Sequence, residues 1–282
     1  MLIVERVERL RAQVREWKSE GLRIGFVPTM GNLHDGHLSL MELARQHCDK
    51  VVASIFVNPL QFGPNEDFDA YPRTFEADQQ KLQMAGVDAV FYPSVEEMYP
   101  QGQDQTLVKV PAKLTELLEG ASRPGHFDGV TTVVSKLFNM VQPDVAVFGQ
   151  KDYQQFCVIE QMVRDMAMPI ELIRGPIARD EDGLALSSRN QYLSSEQRQI
   201  APKLYVTLLD VVTALKSGNR DFQALEKAAI QNLSAVGFDS VDYVKIVHPQ
   251  TLLESAPQEN EFAVLAVAKL GHTRLLDNIL VS

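Results

Sequence analysis

Up to about residue 175, apolar positions alternate between two rhythms. Short continuous apolar runs at residues 24–27, 51–57, 87–92, 145–148 and 170–173 have the texture of strands covered on both faces. Between them, residues 4–18, 38–48, 74–85, 130–141 and 152–166 carry apolar side chains at helical spacing. Residues 58–72, rich in Pro, Gly and Asn, and the glycine-bearing stretch 120–129 read as loops.

Strand, helix and strand in that order form right-handed crossover units, and their repetition predicts an α/β domain with a mostly parallel, Rossmann-like sheet. The texture changes near Pro176. Asp180-Glu181-Asp182-Gly183 reads as a turn. Ser194 is placed to cap a long helix opening at Ser195, and a second helix covers 222–236. Residues 241–247, 262–268 and a short segment near Leu275 look like a small antiparallel sheet. The expected division is residues 1–176, a nucleotide- and acid-binding α/β domain, and 177–282, a smaller α+β domain.

A chain of 282 residues suits one large domain or two modest ones. The formal charge of −10 argues against broad nucleic-acid binding, which needs a basic face, but leaves room for a locally basic pocket. Cys48 and Cys157, the only cysteines, make neither a disulfide framework nor a thiolate zinc site and read as reduced core residues. The longest apolar run, 262–268, is too short to cross a bilayer. The opening residues turn charged by Glu5 and hold no apolar leader core, so a cytoplasmic location is expected.

Three segments carry candidate chemistry. His34-Asp35-Gly36-His37 follows an apolar strand and the turn Pro28-Thr29-Met30-Gly31-Asn32, and precedes a helix. Free N–H groups and a partial positive charge at a helix start favour anions, and imidazoles can donate to phosphate oxygens. On spacing alone, solvated helix-start histidines and a metal pair remain open, although only Asp35 offers a nearby third ligand. Leu186-Ser187-Ser188-Arg189-Asn190 joins two hydroxyls and a guanidinium in one loop, suited to a triphosphate or simply to a surface. Gly149-Gln150-Lys151-Asp152 follows an apolar strand, where ligands of open α/β sheets bind.

These segments, with Ser54-Ile55-Phe56-Val57-Asn58-Pro59-Leu60-Gln61-Phe62, Tyr71-Pro72-Arg73-Thr74, the stretch from Glu119 to Phe127 and Tyr153-Gln154-Gln155, resemble the pantothenate synthetase (pantoate–β-alanine ligase) family. They run in the family's order through the first two-thirds of the chain. The resemblance implies an HxGH nucleotidyltransferase fold shared with class I aminoacyl-tRNA synthetases. It also implies an ATP-dependent ligase that activates (R)-pantoate as pantoyl adenylate and joins it to β-alanine, releasing AMP and pyrophosphate.

By the same resemblance, His37 and His34 are catalytic. Met30, Gly31, Asn32, Leu33, Asp35 and Gly36 line the ATP site with them. Gly149, Gln150, Lys151 and Asp152 hold ribose and phosphate, and Ala178 meets the adenine. Leu186, Ser187, Ser188 and Arg189 close over the triphosphate, with arginine in place of the superfamily's lysine. Gln61 and Gln155 clamp pantoate, and Gln61 also lies near β-alanine. Mg²⁺ is expected on the ATP phosphates, with no protein metal site; Asp78 is either an outer contact to it or a solvated helix acid. A homodimer is implied, and closure of loop 58–72 and of the second domain over ATP is expected.

Two other classes compete. A nucleotidyltransferase that stops after attaching the nucleotide would need a cation for an acceptor phosphate where this chain has glutamines. A non-catalytic nucleotide binder would have no need of the full set of polar positions. Charging of tRNA is disfavoured by the acidic balance and by the lack of an anticodon-binding module.

Overall fold

In the computed structural model, residues 1–282 are described except Asn65, Asp67 and Gln103. The chain forms two compact units, Met1–Gly149 with Gln154–Gly175, and Gln150–Tyr153 with Pro176–Ser282. The expected loop 58–72 includes Asn65 and Asp67, which lie outside the described residues.

The first unit runs β1 (Leu2–Val4), α1 (Val7–Ser19), β2 (Ile24–Thr29), α2 (Asp35–His47), β3 (Lys50–Ile55), α3 (Phe75–Met84), β4 (Ala89–Phe91), then the one-turn helices α4 (Val95–Met98), α5 (Ala112–Thr115) and α6 (Glu119–Ser122). It continues with α7 (His126–Val141), β5 (Val145–Gly149), α8 (Tyr153–Asp165) and β6 (Glu171–Gly175). Six parallel strands lie in the order β1-β4-β3-β2-β5-β6. The expected parallel α/β sheet is therefore present.

Valines and alanines fill both faces of the central strands, as a doubly covered sheet requires. Leu40, Met41 and Ala44 of α2 pack on Val27, Val51, Ala53, Val145 and Val147. Each large apolar side chain so buried contributes about 1.5–3 kcal/mol. That packing anchors the helix whose start carries the histidines. At the other end of α3, Gly86 takes φ +71 after the last turn, the left-handed conformation that lets a helix stop.

The second unit holds α9 (Ser195–Ile200), α10 (Lys203–Lys216), α11 (Phe222–Ala235), β7 (Ser240–Val247), β8 (Phe262–Leu270) and β9 (Thr273–Val281). Its three strands are antiparallel in the order β7-β8-β9. Helix residues Leu204, Leu208, Val211, Val212 and Leu233 share one core with Val244, Ile246, Val264 and Ala266.

Four expectations need correction. Val4, read as the first residue of the opening helix, instead closes edge strand β1 beside β4, and the helix starts at Val7; a three-residue strand carries little periodicity. Much of 120–129, read as loop, is helical: α6 covers Glu119–Ser122 and α7 begins at His126. The single long helix from Ser195 is split where Pro202, which has no N–H to donate, separates α9 from α10. Ser194 does cap α9, in a reciprocal box with Gln197. Finally, the short strand near Leu275 is the full nine-residue β9.

Candidate active site

Strands β2 and β5 are neighbours, paired through Gly25–Val145 and Phe26–Ala146, although far apart in sequence. To one side the order steps back through β3 and β4, and to the other it steps forward to β6. This is the point where an open sheet reverses direction, and ligands bind beyond the carboxyl ends of such strands. The chain leaves β2 there into Met30 and the histidines, and leaves β5 into Gln150.

His34 and His37 occupy the cap and third positions of α2. The His34 Nδ1 accepts from Gly36 N at 3.1 Å, and the His37 Nδ1 accepts from His34 N at 3.3 Å. Two imidazoles thus fill a capping box usually built from hydroxyl and carboxylate side chains. Their ring centroids are 4.1 Å apart. With each Nδ1 accepting a backbone N–H, the neutral tautomer of each ring carries its proton on Nε2.

The turn before them is braced from α3. Gly31 and Asn32 have φ +84 and +50. The Asp78 carboxylate accepts from Asn32 N and Leu33 N, each at 2.8 Å, and from the Thr74 hydroxyl at 3.0 Å. The Lys81 ammonium donates to Leu33 O at 2.6 Å. Asp78 is buried, with both oxygens committed to these donors. It is therefore not the solvated helix acid that one sequence reading made it. A Cβ on Gly31 would lie 3.1 Å from the Asp78 Oδ2, so glycine is required there by both φ and space.

Gln61 ends the 3₁₀ turn Pro59–Gln61 and is held at both its side chain and its carbonyl. Its Oε1 accepts from Asn58 Nδ2 at 3.2 Å, which leaves Nε2 as the donor, 3.1 Å from the Met30 sulfur. Asn58 is buried, also donates to Gly129 O at 3.1 Å, and accepts from the Tyr99 hydroxyl at 2.7 Å. The Gln61 carbonyl accepts from His126 Nδ1 at 2.8 Å. His126 Nε2 lies 3.0 Å from Arg123 Nη1, and Arg123 makes a two-pronged pair with Glu66 at 2.7 and 2.5 Å. Burial, and then the Arg123 guanidinium, push His126 down to about 4, so its ring is neutral at physiological pH.

Sequence reasoning left Asn58, Tyr99, Arg123 and His126 without roles. For Asn58, Arg123 and His126 the visible signal was their presence in the resembling segments; Tyr99 gave none, and the pairing of all four needed the fold. Helix α7 approaches this turn closely because residue 129 is glycine: a Cβ there would sit 2.3 Å from Leu60 O and 2.7 Å from Gln61 N.

The adjacent glutamines of α8 divide their labour. Gln154 is buried, accepts from Glu119 N and donates to Leu114 O and Leu117 O. Gln155 is half-buried and makes no such bonds among the described residues, which leaves its amide available to a ligand.

Of the remaining predicted residues, Gly149 ends β5 in the first unit, and Gln150, Lys151, Asp152, Ala178 and residues 186–189 belong to the second. Ala178 O accepts from Leu186 N at 2.9 Å, at the base of a short hairpin bridged at Arg179 and Ala185. The Ser187 hydroxyl caps the 3₁₀ turn Ser188–Tyr192 by accepting from Arg189 N at 3.3 Å. Lys151 and Ser187 line one small cavity, together with Asn190, Tyr205 and Asp277. The fold thus brings together a lysine and a serine that are distant in sequence. The Asn190 Oδ1 is buried there without a partner among the described residues.

Among the described residues no group of three or more His, Cys, Asp or Glu could hold a metal ion. Burial raises the Cys48 thiol to about 11, so it stays protonated and is no nucleophile. No helix among the described residues is long and apolar enough to cross a membrane.

Comparison with known proteins gives this geometry its context. A family model described as pantoate-beta-alanine ligase matches residues 2–280. The pantothenate synthetase of Hydrogenovibrio crunogenus is 60% identical over 282 residues, covering 100% of both chains. That of Pseudomonas fluorescens is 57% identical over 99% of this chain and 97% of its own. The crystal structure of pantothenate synthetase from Thermus thermophilus superposes with a TM-score of 0.92 at 49% identity, over 99% of each chain. The pantoate-beta-alanine ligase of Francisella tularensis, solved with beta-gamma ATP and beta-alanine, has a TM-score of 0.82 at 34% identity, over 99% of this chain and 97% of its own. Matched along its length in both sequence and fold, this chain belongs to the pantoate–β-alanine ligase family.

Proposed function

We propose that this enzyme condenses (R)-pantoate with β-alanine in two steps driven by ATP. The observation that carries the reading is the pair of imidazoles held through their Nδ1 atoms at the start of α2, beside the reversal point of the sheet. In the first step a pantoate carboxylate oxygen attacks the α-phosphorus. The P–O bond to the β-phosphate breaks and pyrophosphate leaves with its electron pair. In the second, the β-alanine amine attacks the acyl carbon, loses a proton, and the C–O bond to AMP breaks.

A carboxylate is a poor acyl donor because its oxygen leaves badly, and adenylation gives it a good leaving group. Charge builds on the phosphate oxygens during the first step, so positioned donors and cations supply most of the help. His37 donates to the reacting phosphate and His34 to a neighbouring oxygen. Met30, Gly31, Asn32, Leu33, Asp35 and Gly36 line the nucleotide with them. Lys151 is the main cation beside Gly149, Gln150 and Asp152; Ser187, Ser188 and Arg189 with Leu186 hold the triphosphate; Ala178 meets the base. Mg²⁺ bound to those phosphates would add positive charge.

Gln61, with its side-chain Oε1 already engaged by Asn58, donates through Nε2 to pantoate, and Gln155 holds its other end. The enzyme acts as a homodimer in the cytoplasm.

The test is isotope exchange between pyrophosphate and ATP. Exchange that requires pantoate but not β-alanine supports the reading. Exchange without pantoate, or none with it, contradicts it.

A further inference from the structure

Strand β9 carries a buried carboxamide that the reaction scheme leaves unused. Asn278 donates through Nδ2 to two consecutive carbonyls, Gln150 O at 3.0 Å and Lys151 O at 2.9 Å. Its Oδ1 accepts from Gln150 Nε2 at 3.1 Å. All three of these side-chain bonds therefore go to the segment that follows β5.

Asn278 is itself fixed. Its N–H donates to Asp277 Oδ1 at 2.7 Å. Asp277 is buried and takes two bonds from Arg179, at 2.6 and 2.8 Å. Arg179 lies 3.7 Å over the Tyr205 ring and also donates to Gly183 O at 3.0 Å. At the far end of the segment, the Tyr153 hydroxyl donates to Pro249 O at 2.9 Å. Residues Gln150–Tyr153 accordingly group with Pro176–Ser282 rather than with the strand they follow.

We propose that Asn278 is a positioning residue: by gripping the carbonyls of Gln150 and Lys151 it sets the direction in which the Lys151 side chain leaves the backbone toward a nucleotide phosphate. This rests on the reading of Lys151 as a phosphate cation. Two donated bonds to successive carbonyls fix both peptide planes that flank the Lys151 Cα, where a single bond would leave one free to rotate. The group must donate twice and accept once, and a carboxamide of this length does so. A carboxylate of the same shape would instead set one oxygen against both carbonyl oxygens.

The experiment is steady-state kinetics on Asn278→Asp, Lys151→Ala and the double variant, with thermal melting of each. Asn278→Ala, which removes the same bonds without burying a charge, replaces Asn278→Asp if that variant does not fold. The proposal predicts a rise of about tenfold or more in KM for ATP in the Asn278 variant, with KM for pantoate and β-alanine within about twofold. It also predicts a double variant no worse than Lys151→Ala, because Asn278 acts through Lys151. A merely structural role would lower melting temperature and leave the three KM values in proportion.

A folded Asn278 variant with unchanged KM for ATP, beside an impaired Lys151→Ala, overturns the proposal and leaves the Lys151 reading standing. Losses that multiply in the double variant also overturn it. An unimpaired Lys151→Ala overturns the Lys151 reading, and the proposal with it.

Discussion

His34 and His37 cap one helix turn between them, each Nδ1 taking a backbone N–H and each ring left with its proton on Nε2. The three-residue spacing of the motif is therefore a capping spacing as well as a catalytic one. The two roles can be separated. Asparagine is a strong N-cap, so His34→Asn should keep the bond to Gly36 N while losing the Nε2–H donor. We expect its stability to stay near wild type and its kcat/KM for ATP to fall on the order of a hundredfold. His34→Ala should show the same kinetic loss plus about 1 kcal/mol of destabilisation by denaturant melts. Equal activity of His34→Asn and wild type would remove His34 from the chemistry.

The close approach at Gly129 makes a second prediction. Gly129→Ala improves helix propensity in α7 but places a methyl 2.3 Å from Leu60 O. The clash is with the backbone of the turn that carries Gln61, so that turn must shift. The variant should fold, and its KM for pantoate should rise about tenfold or more, while KM for ATP changes little. Unaltered pantoate kinetics would show that the position of Gln61 does not matter.

Asp78 should behave as a brace. Asp78→Asn replaces one of the accepting oxygens with an NH₂ group, against backbone N–H donors at 2.8 Å. Leaving a buried donor unsatisfied costs about 1–3 kcal/mol, and activity should fall with the disordered turn. Raising Mg²⁺ should not restore it. Restoration by Mg²⁺ would return Asp78 to the metal's surroundings.

His126 sets a pH dependence of stability. Its ring titrates near 6.5 when unfolded and is pushed down to about 4 in the folded chain, by burial first and Arg123 second. Between those values the unfolded chain binds the proton and the folded one does not. Stability therefore falls as pH drops through that window, by up to about 3 kcal/mol. His126→Gln should flatten this part of the profile measured by urea unfolding at a series of pH values. An unchanged slope would show that other groups produce it.

Much of this was legible in the chain, for reasons that differ by residue. The histidine motif declared itself because its chemistry, its cap spacing and its strand-to-helix setting all lie within one short segment. The strands of the parallel sheet were visible as valine- and alanine-rich runs because both of their faces are buried. Asp78 was misread because it sits among polar neighbours in α3; its burial depends on a turn some forty-five residues earlier, packed against it. His126 and Gly129 were obscured when their helix start was taken for loop, since Gly129, which suggests a loop, is there for close packing instead. Asn278 lies over a hundred residues from the carbonyls it holds, and no local pattern announces such a bond.

In the proposed first step a pantoate oxygen attacks the α-phosphorus of ATP. Pantoate labelled with ¹⁸O in its carboxylate follows that oxygen. One labelled oxygen should appear in each AMP released with pantothenate, and none in pyrophosphate. Label in a phosphate split from the nucleotide's γ position, with AMP unlabelled, would contradict it.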